Sequence, residues 1–545
     1  MTTAPISTRA APAARRRRPR LPCVPALRRI ALAATALLLA ACGTPGGLIA
    51  TVGPDHTPPR ARVAERWFAP VPPAATGATA DRTSGDATTG TSVVAAATAA
   101  AAAGSRPLPH AGSTERLAHW WSALGDPALV ALQEAAQRES AGVAQAAARI
   151  ARARADAVAA DAAGVPTLEA IANASRAAFS FGGPATLRTQ LQAGLQSGWE
   201  IDLFGGQARQ REAAVAQLQS SVATWHDARV ALAAEVAHTW LNYRACEAQR
   251  ALAQADSESR ARSLQLIEIA GRAGFQAPAT VALARAVAAE GASTLTQRIA
   301  QCDAMVKAMV ALTGLEEPDL RQRLHGDPAH TARIPDPQPH ALEAIPAQVL
   351  LQRPDLIAAE RDVAAASAAI GVQEADRFPR LTLTGSVTPT RMSLGGAPSM
   401  SVLTWSVGPA LSLPLLDGGR RAANVESARG QYAAAVSAYQ ARARAAVREV
   451  EDALVRLDAA ARRLPDAQTA AQGYTASFEA AQARQRAGLG SLVEAEDARR
   501  VALAAQAGVV ALRHERAAAW IALYRAAGGG WDAAPAPAAQ PQESR

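Results

Sequence analysis

Two alanine-rich stretches, residues 206–274 and 419–488, each bounded by glycines, read as helix for about 68 residues apiece. At ~1.5 Å of rise per residue, such a helix is on the order of 100 Å long. No compact domain encloses a rod of that length, so the two stretches must pack side by side as a coiled-coil-like tube or rod. Composition agrees. The chain is 49% hydrophobic but only 4% aromatic, so much of its apolar content is alanine. Alanine is the best helix former and buries little area per residue, which suits closely packed long helices better than a broad globular core.

The long helices belong to an internal duplication. Val-Pro-Thr-Leu at 165–168 is answered by Phe-Pro-Arg-Leu at 378–381, and Gly205-Gly206 by Gly418-Gly419. Arg272-Ala273-Gly274 is answered by Arg486-Ala487-Gly488, and Gly314 by Gly528, all at offsets of 213 or 214. An offset held through successive landmarks marks two copies of one structural unit. Their bounds are 118–315 and 346–531, joined by a Pro-rich linker at 316–345. Each copy reads as a helix, two strands, a very long helix, a glycine turn and a further helix.

The strands alternate with period two. Leu191, Ala193, Leu195, Trp199, Ile201 and Leu203 share one face, and Gln192, Gly194, Gln196, Glu200 and Asp202 the other. In the second copy Leu403, Trp405, Val407, Leu411 and Leu413 oppose Thr404, Ser406, Gly408 and Ser412. Partner strands begin at Leu168 and Leu381. The polar face is mainly uncharged, and no helix lies between paired strands to cover the apolar one. A lipid-facing outside and a wet inside fit this pattern, with Trp199 and Trp405 in an aromatic girdle. Four strands cannot close a membrane barrel, which takes about eight at the least, and an open edge is forbidden in lipid. Several copies must therefore associate; two would supply eight strands and three would supply twelve.

The net charge of +9 does not signal nucleic acid. The first 41 residues hold eight arginines and no acid, and subtracting these from nine leaves +1. They form a basic segment followed by an apolar run at 30–42, too short to span a bilayer, which is the layout of a signal peptide. The run ends Leu39-Ala40-Ala41-Cys42 and resembles a bacterial lipobox, making Cys42 the expected lipid-bearing residue, a palmitate-type anchor. Gly43 follows where an aspartate would favour inner-membrane retention. Residues 42–117 are expected to be the anchor and a flexible spacer, Thr-, Ala- and Gly-rich from 70 to 113, and 532–545 a disordered tail.

Further stretches carry a resemblance: VGPDHTPP after the lipid site, WWSALGDPAL at 120–129, WEIDLFGG at 199–206, LLQRPDLIAAE at 350–360, REVEDAL at 448–454 and LYRAAGGGW at 523–531. In this order they resemble the outer-membrane factor (TolC-like) family, specifically its efflux-pump lipoprotein branch. The resemblance implies an α+β membrane protein: a homotrimer with a twelve-stranded barrel in the outer membrane and a twelve-helix periplasmic tube. It also implies an exit duct for small toxic compounds, with a periplasmic adaptor and an inner-membrane transporter of the RND type as partners. The duct would need no cofactor beyond the covalent lipid. A type I protein-secretion channel of the same fold and a pore-less periplasmic rod are the alternatives.

Three sets of site residues follow. Cys246 and Cys302 lie 28 residues before and after Gly274, so a hairpin folded there brings them level, within reach of a disulfide. The two tips, Arg272-Ala273-Gly274-Phe275 and Arg486-Ala487-Gly488-Leu489, are the adaptor contacts the resemblance implies, with glycine ending each helix and arginine in its last turn. At the second tip, Ser491 and Glu494 form a capping-box pattern. Glu494 and Asp497 match the family's lumen-facing carboxylates, which in a trimer would stack as two rings and draw cations to the periplasmic aperture. Ala279 and Thr280 stand in the corresponding place of the first copy. Gly490 stands where relatives carry a polar side chain, so the ion-pair latch of some members is expected to be weak or absent. Nothing suggests an enzyme: Lys307 is the only lysine, and the nine histidines show no ligand spacing for a metal.

Overall fold

The computed structural model describes residues 47–60, 66–69, 121, 124–180, 182–325, 334–335 and 350–529. The elements of the first copy are α1 (Pro127–Glu139), α2 (Ala141–Ala162), β1 (Thr167–Phe179), β2 (Thr186–Ile201), α3 (Gly206–Arg272) and α4 (Pro278–Thr313), followed by α5 (Glu317–His325). Those of the second are α6 (Pro354–Ala375), β3 (Arg380–Leu394), β4 (Met400–Ser412), α7 (Arg420–Arg486) and α8 (Leu492–Ala526). The expected linker thus opens with a helix: α5 is only 9 residues long, and Leu320 and Leu324, one turn apart, are its fully buried contacts.

All four strands form one antiparallel sheet in the order β1-β2-β3-β4. The two edge strands, β1 and β4, are each 13 residues long. Register places Leu191 opposite Ala174 and Arg391, Leu195 opposite Ala170 and Val387, and Trp199 opposite Leu383. Val387 in turn faces Trp405, and Leu381 faces Leu411. The apolar residues of all four strands therefore share one face. Leu203 and Leu413 fall beyond the strand ends, where the chain turns toward α3 and α7.

The long helices α3 and α7 are each 67 residues. An aspartate starts each one: Asp202 accepts from the Ala208 N–H at 2.9 Å, and Asp417 from the Gly419 and Arg421 N–H groups at 3.0 and 3.2 Å. These donors, Arg421 first, hold the Asp417 carboxyl below its ordinary range. Pro465 lies inside α7, where it cannot donate to the carbonyl of Ala461. The two hairpin turns are superimposable in chemistry. Phe275 N–H bonds the Ala270 carbonyl and Leu489 N–H the Arg484 carbonyl, both at 2.9 Å, closing a Schellman turn in each copy. Gly274 and Gly488 occupy the left-handed position, at φ 78° and 75°.

The hydrophobic core sits halfway along the helices. Trp121 packs on Tyr524 at 4.4 Å and on Trp520 at 6.0 Å, surrounded by Leu129, Leu132, Trp240, Met309, Leu320 and Leu454. Here the short helices α1 and α5 add Leu129, Leu132, Leu320 and Leu324 to the large side chains that the long helices bring, Trp240, Trp520 and Tyr524 among them. Buried Arg244 joins Asp126, the cap of α1, at 2.6 Å and donates to the Leu324 carbonyl at 3.1 Å. Arg353, at the start of α6, is held by Asp355 and Glu449, each at 2.9 Å, and donates to the Ala526 carbonyl.

Two further ties act below the core. Cys246 of α3 and Cys302 of α4 are bonded, with Cα atoms 5.7 Å apart, and both are buried. Nearer the tips, the two hairpins meet through Ile267, Ala284 and Leu492 and through a charged cluster. Asp256 contacts Arg260 at 2.8 Å and Arg499 at 3.7 Å, and Arg499 also reaches Glu496 at 3.7 Å and lies over the Phe478 ring. Burial pushes the Glu496 carboxyl up and the Arg499 guanidinium down. The Arg499 side chain is 4% exposed.

Thiol labelling of denatured, unreduced mature protein is expected to find Cys246 and Cys302 unreactive, with both labelling only after reduction; reactivity before reduction would show an unbonded pair. Arg499→Ala leaves Glu496 without its nearest cation and Asp256 with Arg260 alone, and is expected to cost about 3 kcal/mol, read as a lower denaturant midpoint of the helical signal. Glu496→Gln, which removes a charge that burial already disfavours, is expected to cost less.

Candidate functional site

The sheet end of the molecule has the chemistry of a membrane segment. Leu403, Trp405, Val407 and Leu411 are 64–69% exposed in the single chain, with no element of the described residues packed over them. The opposite face carries Asn173, Gln192, Gln196, Thr382, Thr384 and Ser386, and Ser386 and Ser406 share a hydrogen bond across β3 and β4 at 2.9 Å. Both sheet edges are open among the described residues. In lipid such edges are untenable unless they are paired. The indoles differ in depth. Trp199, near the helix end of β2, donates to the Gly164 carbonyl at 3.0 Å, and below it Phe204 stacks on Phe378 with ring centroids 4.6 Å apart. Trp405 shares the outward face but lies in the middle of β4, opposite Val387, away from a rim position. Alternation gives the face of a strand residue and says nothing of its height.

At the far end, both tips present an apolar residue to solvent: Phe275 is 82% exposed and Leu489 80%. Arg272 and Arg486 are also exposed, and Arg486 donates to Gln482 at 2.7 Å. The acids after the second tip have local partners. Ser491 caps α8 by accepting from the Glu494 N–H at 3.0 Å. The Glu494 carboxylate does not return to the cap; it crosses the turn to Arg484 at 2.8 Å. Asp497 pairs with Arg500 one turn on. Each acid thus stands beside an arginine of its own chain, which reading the acids alone missed. Gly490 is packed against Arg484, whose Cβ lies 3.4 Å from where a side chain would begin.

Residues 47–60, expected within a spacer, are docked instead. The N–H groups of Leu48, Ile49 and Val52 donate to the carbonyls of Asp202, Leu203 and Phe204. Gly53 and Gly371 of α6 touch so closely that a Cβ on Gly53 would lie 2.3 Å from the Gly371 Cα. Buried Arg209 donates to the Val52 and Gly53 carbonyls and to Asp55. Burial alone would raise the Glu360 carboxyl, but His56 and Arg361 outweigh it and hold the group below its ordinary value. Farther on, the Phe68 and Ala69 N–H groups donate to Glu451 at 2.8 and 2.6 Å. Main-chain hydrogen bonds carry no hydropathy signal, which is why the segment read as spacer. Cys42, residues 70–113 and the tail lie outside the described residues.

The quoted sequence motifs are joints of this frame. GDP holds Asp126, QRPD holds Arg353, REVED holds Glu449 and Glu451, and AAGGG lets Gly528 approach the Gln352 carbonyl. No group of three His, Cys, Asp or Glu among the described residues is arranged to hold a metal ion. No described helix is long and apolar enough to cross a membrane.

Comparison with known proteins agrees with this geometry. Residues 131–315 and 345–529 each match the family described as Outer membrane efflux protein, two segments 214 residues apart. The chain is 30% identical over 377 residues to outer membrane protein OprJ of Pseudomonas aeruginosa, covering 68% of this chain and 77% of OprJ. It is 30% identical over 420 residues to the toluene efflux pump outer membrane protein TtgI of Pseudomonas putida, covering 74% of this chain and 86% of TtgI. A membrane protein of Pseudomonas aeruginosa of known crystal structure shares the fold, with a TM-score of 0.73 and 26% identity over 88% of this chain and all of that one. With the duplicated helical hairpins and the outward apolar sheet already in place, these matches identify the chain as a member of the outer membrane efflux protein family, an exit duct of an efflux pump.

Proposed function

We propose that three copies of this chain close into one duct, a twelve-stranded barrel in the outer membrane continued by a periplasmic tube of helical hairpins. The carrying observation is the sheet: four strands, one apolar face, and two open edges of equal length. Joining β4 of one copy to β1 of the next extends the antiparallel order without a break. The homotrimer typical of the family supports three copies over two. A pore-less rod has no use for an exposed leucine face, and the pump components among the relatives favour small-molecule efflux over protein secretion.

The membrane end fits lipidation of Cys42. Gly47 meets the base of the sheet through the Leu48 and Ile49 hydrogen bonds, only five residues from the cysteine. Those five residues reach at most about 17 Å, so a lipid there would lie beside the barrel. The low-complexity insert follows the docked segment and does not lengthen this tether. At the other end, the tips meet the periplasmic adaptor, and an inner-membrane transporter loads the tube through it. Phe275 and Leu489 give the contact an apolar centre, ringed by Arg272 and Arg486.

The mouth acids bias passage toward cations, with Arg484 and Arg500 offsetting part of their charge. Purified protein is expected to run as a heat-modifiable trimer and to conduct ions in planar bilayers. Glu494→Gln with Asp497→Asn should lower cation selectivity and weaken block by multivalent cations; unchanged selectivity and block would leave these acids to capping and ion pairing alone. Charge reversal of Arg272 and Arg486 together is expected to abolish crosslinking to the adaptor and to remove the resistance the pump confers. Adaptor crosslinking that survives both reversals would place docking elsewhere.

A further inference from the structure

The outer end of the apolar sheet face is not apolar. Arg391 lies on the same face as its partner Leu191, and Arg176 on the same face as Ala174. Arg176 is opposite Thr189, Thr189 opposite Ser393, and Arg391 opposite Ser401. The Arg391 guanidinium donates through Nε and Nη2 to the single Ser399 hydroxyl, at 3.0 and 2.9 Å. That fixes the head group and leaves Nη1 for another acceptor. Both arginines are exposed.

Charge is sorted along the strands. Residues 170–198 and 381–416 contain Arg176, Arg188 and Arg391 and no acid. The acids Glu169, Glu200, Asp202, Asp376 and Asp417 all gather at the helix end of the sheet. Arg391 is ten residues above Leu381, where the apolar face begins. At ~3.3 Å per residue and a tilt of about 40°, this is about 25 Å, the height of the apolar band of an outer-membrane barrel. The two arginines therefore stand where the hydrocarbon ends, on the side away from the tube. Arg188 is at similar height but belongs to the polar face, opposite Ala177 and Leu394.

We propose that Arg176 and Arg391, with the hydroxyls of Thr189, Ser393, Ser399 and Ser401, form a binding site on the lipid face for the phosphate groups of an outer-leaflet glycolipid. The site rests on the three-copy barrel. In the order β1-β2-β3-β4 repeated around the ring, an arginine falls on every second strand, about 10 Å from the next. The result is a collar of six cations, two from each of three copies. A guanidinium presents a planar fork of donors that matches phosphate oxygens, and with no acid in these strand segments it has no carboxylate there to compete. The acyl chains of such a lipid would lie along Leu195, Val387 and Leu403 below, so one molecule satisfies both halves of the face.

The test uses the purified full-length trimer in detergent, incubated with diphosphorylated lipid A and examined by native mass spectrometry. Wild type is expected to retain the lipid. Arg176→Gln with Arg391→Gln should retain it at least about tenfold less, because one charge-assisted hydrogen bond alone is worth that factor. Arg188→Gln, on the inner face, should match wild type. Lipid A stripped of its phosphates should bind wild type as weakly as intact lipid A binds the double variant, and inorganic phosphate in modest excess should not displace the intact lipid. Equal retention by the double variant, or of the dephosphorylated lipid, would overturn the proposal, and displacement by inorganic phosphate would show a simple anion site. Heat-modifiable migration is read for every variant. If wild type forms no trimer, the barrel reading fails first and takes the collar with it; if only the double variant fails to assemble, Arg176→Lys with Arg391→Lys decides, with intermediate retention expected and wild-type retention counting against guanidinium recognition.

Discussion

A backbone in hydrocarbon has no water to bond with, so every N–H and C=O in the membrane must find a partner within protein. The four-stranded sheet satisfies this for β2 and β3 and leaves β1 and β4 each with one unpaired side. The rest of the molecule is arranged around that deficit. In the proposed duct, association of copies repairs it, and association at the sheet brings the paired hairpins around a common axis. The exposed leucines and Trp405 follow from the same cause, since a face turned to lipid gains nothing from a covering layer.

The tube poses the opposite problem. Alanine lets helices approach closely but gives each contact little apolar area. The long hairpins are therefore secured at intervals by stronger devices: the tryptophan-rich core at mid-length, the Cys246–Cys302 bond below it, and the Asp256–Arg260–Glu496–Arg499 cluster toward the tips. Among the described residues, the core is asymmetric with respect to the duplication: helices α1 and α5 flank the first copy and supply Leu129, Leu132, Leu320 and Leu324. The docked segment from Gly47 to Arg60 adds a tie on the membrane side, made largely from main-chain hydrogen bonds and the contact between Gly53 and Gly371.

In the proposed duct, one cluster of residues after the second tip serves structure and passage together. Ser491 caps α8, Glu494 bridges the turn to Arg484, and Asp497 pairs within its own helix. These contacts are compatible with the proposed charged aperture, because both carboxylates stay exposed to solvent. They also set its strength, since each acid is accompanied by a cation.

The linear order of residues carried the periodic features. Alternation named the two faces of the sheet, the glycines at 274 and 488 placed the hairpin turns, and the constant offset revealed two copies of one unit. Equal spacing of Cys246 and Cys302 about Gly274 brought them level, because an antiparallel hairpin pairs residues by distance from its turn. What tertiary structure alone decided has no period. The docking of residues 47–60 is written in carbonyls and glycine contacts, which any small or polar sequence could offer. Helix α5 is too short for a periodic signal, and the height of Trp405 depends on where the strand ends. The partners of Glu494, Asp497 and Arg499 depend on which helices lie side by side. Local sequence fixes the shape of a strand or a turn because those interactions lie within a few residues, whereas a buried charge is settled by whatever packing brings beside it.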